Sequence, residues 1–382
     1  FVFWVGIGHA GTLISAILRL SKAEWRRPIT RMAEVITAIV LAIGGLHPII
    51  DLGRPDRMSH LFFNGRLQSP LLWDITSITA YFTASTVYLY IPLIPDIAIL
   101  RDRGVKPRWL YEFLSWGWQG TERQHKVLDR AMNILMVIVI PIAVSVHTII
   151  SFIFSMTVQP GWHSTIFGPY FVVGAIFSGI AAILVLMIVF RKVFRLEGYL
   201  KHIHFNYLSI LLLIMSLLWF YFTFSEYLTG YYGHEPNEMR VFWYKFSGDF
   251  APYFWTMVSC NFFLPVLLLS NRKTRTIPGI LIASLSVIIG MWLERLIIIV
   301  PSLANPRLPY PTGIYIPTHT EWMLFIGGIS VFVLGYMLFA RFFPVISIWE
   351  IEEGRKESAK IVTERISSYM PDSEPTSAGE LR

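Results

Sequence analysis

The sequence predicts an all-α polytopic membrane protein, and three observations carry that prediction. Nine runs of about 20 apolar residues recur along the chain, each long enough to cross a hydrocarbon core about 30 Å thick. Charged residues make up only 15% of the 382 positions against 54% hydrophobic, with a mean hydropathy of +0.55; soluble domains carry about 25% charged residues. The basic residues fall in short connections between the runs rather than along one polar face. The formal charge of +7 therefore speaks for membrane topology and against nucleic acid as a partner.

The runs lie near 1–20, 31–52, 71–98, 130–156, 168–191, 205–232, 251–270, 277–303 and 321–343. At these lengths only helices satisfy the backbone in lipid. Because Phe1 stands inside an apolar run with no targeting signature before it, one further helix upstream is expected, ten in the full chain. The connections after odd-numbered runs hold 18 Lys and Arg, and the other four hold 6. That asymmetry puts the odd connections and the polar C-terminus in the cytoplasm. The opposite connections are rich in Trp, Tyr and Pro, as rings at the headgroup level require. The echo between Pro70-Leu71-Leu72-Trp73 and Pro252-Tyr253-Phe254-Trp255 suggests two parallel-duplicated four-helix bundles plus one extra helix. The expected units are a first bundle over 1–156, a second over 157–303, an outer connection and last helix over 304–345, and a cytoplasmic tail over 346–382, disordered at its end.

Cys260 is the only cysteine, so the chain cannot hold an iron–sulfur cluster or a disulfide by itself. Haem is not expected: no run carries two histidines 13 or 14 residues apart, the pattern that stacks two haems in a four-helix cytochrome. Ionisable residues within spans are costly and mark sites by default. Most of them converge on the outer half: His47 and Asp51 on the second run, Asp74 and Tyr81 on the third, His147 on the fourth, Glu226 on the sixth, Asp249 before the seventh, and Glu294 with Arg295 on the eighth. Such a layer suits a quinol, whose oxidation needs a His or carboxylate as proton acceptor and an apolar wall. His47 with Asp74 form the catalytic pair in this reading; Asp51, Tyr81, His147, Asp249, Arg295 and Glu226 complete the pocket. A helix cap at Asp74, a Pro48 kink beside His47 and an internal Glu294–Arg295 ion pair are the structural alternatives. Glu34, Thr79, Thr83, Asp129 and Asn133, on the cytoplasmic side, are candidates for the start of a proton path. A secondary transporter is the competing class, and its sign would be paired broken helices.

The segment HPIIDLGRPDRMSH, from His47 to His60, resembles the LGRP turn of the NrfD/PsrC family of quinone-interacting membrane anchors. FVFWVGIGHAGTLISAIL is similar to the second helix of ActC-like chains, the large NrfD-type subunits of bacterial alternative complex III. The resemblance covers essentially the whole chain. It implies a subunit of the bacterial inner (cytoplasmic) membrane that oxidises quinol, either menaquinol or ubiquinol. It also implies an outer iron–sulfur subunit, multihaem cytochrome c subunits beyond it, and a second NrfD-like membrane subunit. His47 and Asp74 match the family's quinol-associated residues by position; Asp249 and Arg295 match less closely. Anchors of molybdopterin reductases of the polysulfide or nitrite type share the LGRP turn and are the alternative.

Overall fold

A computed structural model describes residues 1–51, 53–305 and 315–369. Among the described residues the fold is helical without strands, and nine helices are long and apolar enough to cross a membrane. The chain is thus an all-α multi-pass membrane protein. The spanning helices are α1 (Val2–Leu20), α2 (Thr30–Asp51), α3 (Pro70–Tyr90), α4 (Glu122–Ser155), α5 (Phe167–Val193), α6 (His202–Gly233), α7 (Ala251–Leu269), α8 (Ile277–Ala304) and α9 (His319–Phe342). A polar helix, α10 (Ile348–Tyr369), follows.

Two helices depart from regularity for local reasons. Pro92 and Pro95 each lack an N–H, so α3 passes through a 3-10 turn, Ile91–Leu93, before continuing as Ile94–Asp102. Within α7 the turn Ser259–Phe263 is a π-helix just ahead of Pro265, which cannot donate to the Asn261 carbonyl. That carbonyl instead accepts from Ser216 Oγ at 2.6 Å, and the Cys260 carbonyl accepts from Ser286 Oγ at 3.0 Å. The fourth span begins eight residues before its apolar run, because Thr121 and Gln124 form a reciprocal capping box.

Helices α1 to α4 close a ring in which each packs on the next, and α5 to α8 close a second; α1 and α4 meet α5 between the rings. The tightest approach, α1 on α2, runs over Gly11. A side chain there would overlap the Ala33 carbonyl and the Thr37 hydroxyl, and the closeness lets the Thr12 N–H reach Thr37 Oγ1 at 2.9 Å. Helix α9 packs on the outside of α2.

The face formed by connections 21–29, 103–121, 194–201 and 270–276 is the basic face, and the opposite one is the aromatic face. On the basic face a buried ionic knot holds α10. Asp96 pairs with Arg31 and accepts the first two N–H groups of α10, Ile348 at 3.1 Å and Trp349 at 3.0 Å. Glu350 binds Arg19 at 2.9 Å and Arg26 at 3.3 Å, while Arg27 donates to the Glu350 carbonyl at 2.6 Å. The tail expected after the last span therefore starts as a docked helix. The disorder expected at the end of the tail falls on 370–382, outside the described residues.

Candidate functional site

Near the aromatic face, α2 and α3 pack side by side and present His47 and Asp74. His47 stands four positions before the end of α2, and Asp74 four positions after the start of α3. At 1.5 Å per residue both lie about 6 Å inside their helix ends. His47 is half-buried. Its Nδ1–H donates to the Ile43 carbonyl at 2.8 Å, which fixes the ring and leaves Nε2 as a free acceptor. Trp4 flanks that ring with centroids 6.5 Å apart. Asp74 has one carboxylate oxygen buried with no hydrogen-bond partner. A helix cap would spend that oxygen on backbone N–H groups; here it is unspent, and a buried acceptor left so costs about 1–3 kcal/mol.

Deeper in the membrane lies a second cluster, which the sequence reading left as scattered single residues. His9 of α1 and His147 of α4 are both buried, with ring centroids 3.8 Å apart. Both His9 nitrogens and His147 Nδ1 lack partners. Tyr81, fully buried, donates to the His9 carbonyl at 2.7 Å. Arg295 lies over the Phe171 ring at 4.2 Å with its Nη1 3.5 Å from Glu294 Oε2. Glu294 Oε1 accepts from Trp219 at 2.6 Å. The internal ion pair foreseen for Arg295 is therefore present, and it sits beside the histidines.

Glu226 belongs to a third group, around a cavity of about 620 Å³ on the aromatic face between the ends of α4 and α6. Its carboxylate accepts from Ser164 at 2.5 Å. The cavity narrows to a notch at Tyr170, Tyr227 and Lys245. Lys245 is 5% exposed; burial pushes its ammonium down to about 8, against the pull of Glu226 and Glu238. Burial also pushes the Glu238 carboxyl up, although the Gly161 N–H that it accepts at 2.7 Å opposes the shift. Gly161 turns with φ +78°, a left-handed conformation that suits glycine, and a side chain there would meet Ser302 at 2.9 Å.

The remaining candidates separate. Asp249 is exposed beside Tyr244, away from the buried groups, and the side chain of Asp51 lies outside the described residues. Of the five proton-path candidates only Glu34 is buried, with Ser15 donating to it at 2.6 Å. Thr79, Thr83, Asp129 and Asn133 stand on the exposed outside of α3 and α4, not on a bundle interior. The hydropathy of those helices showed that they span, but depth along a helix, on which these candidates were chosen, does not say which side turns outward. Tyr170, Lys245 and Glu238 were not singled out in sequence because aromatic belts and loop charges are ordinary there; a lysine on a face with few basic residues was the available signal. Among the described residues no group of three or more His, Cys, Asp or Glu is placed to hold a metal ion.

The family pattern of polysulphide reductase NrfD matches residues 1–306. The chain belongs to the NrfD family. Among its relatives is a selenate reductase subunit of Mesobacillus selenatarsenatis, 25% identical over 91% of this chain and 84% of that protein. A protein of Halobacterium salinarum, provisionally named as a membrane subunit of a dimethyl sulfoxide reductase, is 23% identical over 90% of this chain and 81% of its own length. The Hdr-like menaquinol oxidoreductase integral membrane subunit of Archaeoglobus fulgidus is 23% identical over 92% and 84%. The NrfD match takes in α1 to α8 and all three groups of polar residues; α9 and α10 lie beyond it.

Proposed function

We propose that this NrfD-family chain is the quinol-oxidising membrane subunit of a respiratory or photosynthetic complex, with its aromatic face on the outer side of the cytoplasmic membrane. The observation that carries the reading is the unspent Asp74 oxygen one turn inside its helix, on a helix packed against the one that carries His47 one turn from its own end. His47 Nε2 takes the first quinol proton, and Asp74 takes or orients the second. Quinol becomes quinone as two electrons pass to an iron–sulfur subunit docked around Arg54, Arg66 and Arg240, all exposed on that face. Arg307, also expected on that docking surface, lies outside the described residues. The name of the Archaeoglobus relative, a menaquinol oxidoreductase subunit, supports menaquinol as the substrate.

Two assemblies fit. One is alternative complex III, with multihaem cytochromes c and a second NrfD-like membrane subunit; the other is a molybdopterin reductase. The GIGHAGT segment supports the first, and the reductase names of two relatives support the second. Subunits copurifying with the chain decide between them. For the site itself, His47→Ala should lower quinol oxidation by about 10²-fold or more, the scale of a removed general base, with the complex still assembled. Asp74→Asn should keep the shape and lose most of the rate. Normal rates in both assembled variants would place the quinol elsewhere.

A further inference from the structure

We propose that the basic face carries a binding site for an anionic phospholipid of the adjoining leaflet, in which Arg123 and Arg130 hold the headgroup phosphate and the outward stripe of α4 receives the acyl chains. The site goes beyond the quinol reading and does not rest on it.

The first turns of α4 project past its apolar run because the capping box of Thr121 and Gln124 starts the helix early. Arg123, Val127, Arg130, Ile134 and Ile138 follow one another there at i, i+4, i+7, i+11 and i+15, a spacing that sets them on one stripe of the helix. All are exposed. The two arginines stand two turns, about 10 Å, apart, and with Glu122, Lys126 and Val127 they line an open depression of about 430 Å³. From its floor at Val127 the stripe continues onto the isoleucines of the span.

The neighbouring connection fixes the depth. Tyr111, buried on the short helix Arg108–Leu114, packs with Leu93 and Ile97 and donates to the Phe342 carbonyl at 2.9 Å, where α9 ends. That helix therefore lies level with the end of a span. Trp109 and Phe113, four positions apart on its other side, are 69% and 77% exposed. Rings so placed belong at a headgroup boundary rather than in water. The same connection is tied to α4: Trp118 meets His125 with ring centroids 5.2 Å apart, and the Gln124 side-chain oxygen accepts the Gln119 and Thr121 N–H groups at 3.0 and 3.2 Å. The arginines thus stand at the level of the phosphates.

Pairing separates these two arginines from the other cations nearby. Arg108 is bound by Glu112 and Lys126 by Glu122, each at 2.7 Å on its own helix. Arg123 and Arg130 have no ion pair or hydrogen bond among the described residues. Retention of cations on one side of a membrane accounts for their sign, but not for their being unpaired and in line with an apolar stripe. A guanidinium is a planar fork that matches phosphate oxygens, and basic pockets at this level suit anionic headgroups. A zwitterionic headgroup would bring its own cation among theirs.

The test uses the intact complex, purified and delipidated, with dioleoyl phosphatidylglycerol or dioleoyl phosphatidylcholine added in detergent and bound lipid counted by native mass spectrometry. Wild type should hold phosphatidylglycerol at concentrations where phosphatidylcholine is absent. Arg123→Gln combined with Arg130→Gln should weaken that binding roughly tenfold or more, the scale of two surface cations. Val127→Glu, which sets a carboxylate between the arginines, should do the same with both still present. Arg108→Gln combined with Arg272→Gln removes equal charge elsewhere on the basic face and should leave binding unchanged. Equal binding of the two lipids to wild type overturns the site, as does phosphatidylglycerol binding that survives both the arginine and the Val127 changes. Equal losses in the two double variants would mean diffuse attraction to the whole face and no site. A protein subunit crosslinked to α4 at positions 127 and 134 in the intact complex would give the stripe to that partner instead.

Discussion

Gly11 and Gly45 show how differently two glycines of adjacent helices are constrained. A methyl group at Gly11 would overlap the Ala33 carbonyl, which is backbone and cannot swing aside, whereas nothing lies within 4 Å of one at Gly45. Gly11→Ala should therefore push α1 off α2, break the Thr12–Thr37 bond and cost more than the 1–3 kcal/mol typical of overpacking. Gly45→Ala should be neutral or slightly stabilising, since alanine is the better helix former. Thermal unfolding of the two purified variants checks this; equal midpoints would mean that α1 and α2 are not in close contact. The GIGHAGT segment was legible as a family signature, and the structure supplies its physical content. Glycine brings the backbones together, and His9 and Thr12 then face partners on other helices. What sequence could not show is that the rings of His9 and His147, 138 positions apart, meet, tilted at 49° to one another. Pairing across helices depends on their rotation, which neither hydropathy nor spacing specifies.

At the scale of elements, all nine spans were legible because each is long and apolar, and their ends shifted only where capping or proline chemistry decided. The π turn of α7 was not, since it answers to Pro265 and to hydroxyls supplied by α6 and α8. Helix α10 was read as part of a polar tail because its residues form no apolar stripe wide enough to bury. It is held by charge at its first turn instead. Asp96 lies where an anion favours the exposed N–H groups and dipole of a helix start, and it also neutralises Arg31, which is 2% exposed. Asp96→Ala removes both roles and leaves a buried guanidinium unpaired, a loss of about 3–5 kcal/mol for such pairs. The expected result is release of α10, read as rapid trypsin cleavage at Arg355 and Lys356 in the variant and slow cleavage in the wild type. Equal cleavage rates would mean that the apolar contacts of Trp349, itself buried, hold α10 without the knot.

For the whole molecule, one choice of orientation governs every functional statement. The connections of the basic face carry 18 of the 24 loop Lys and Arg counted (18 and 6), and this face also holds the Arg19, Arg26, Arg27 and Arg31 knot. Loop cations are retained on the cytoplasmic side during insertion. Under the proposed function the aromatic face, with His47, Asp74 and the Glu226 cavity, then looks outward, and electrons and protons leave on the same side. The lone Cys260 lies in the π turn within α7, which makes a Cys260→Ser background simple to build. In intact cells an impermeant maleimide should label Arg240→Cys strongly and Arg108→Cys only after lysis. Labelling at 108 before lysis would invert the protein, turn the quinol layer toward the cytoplasm, and require the iron–sulfur partner to dock from inside.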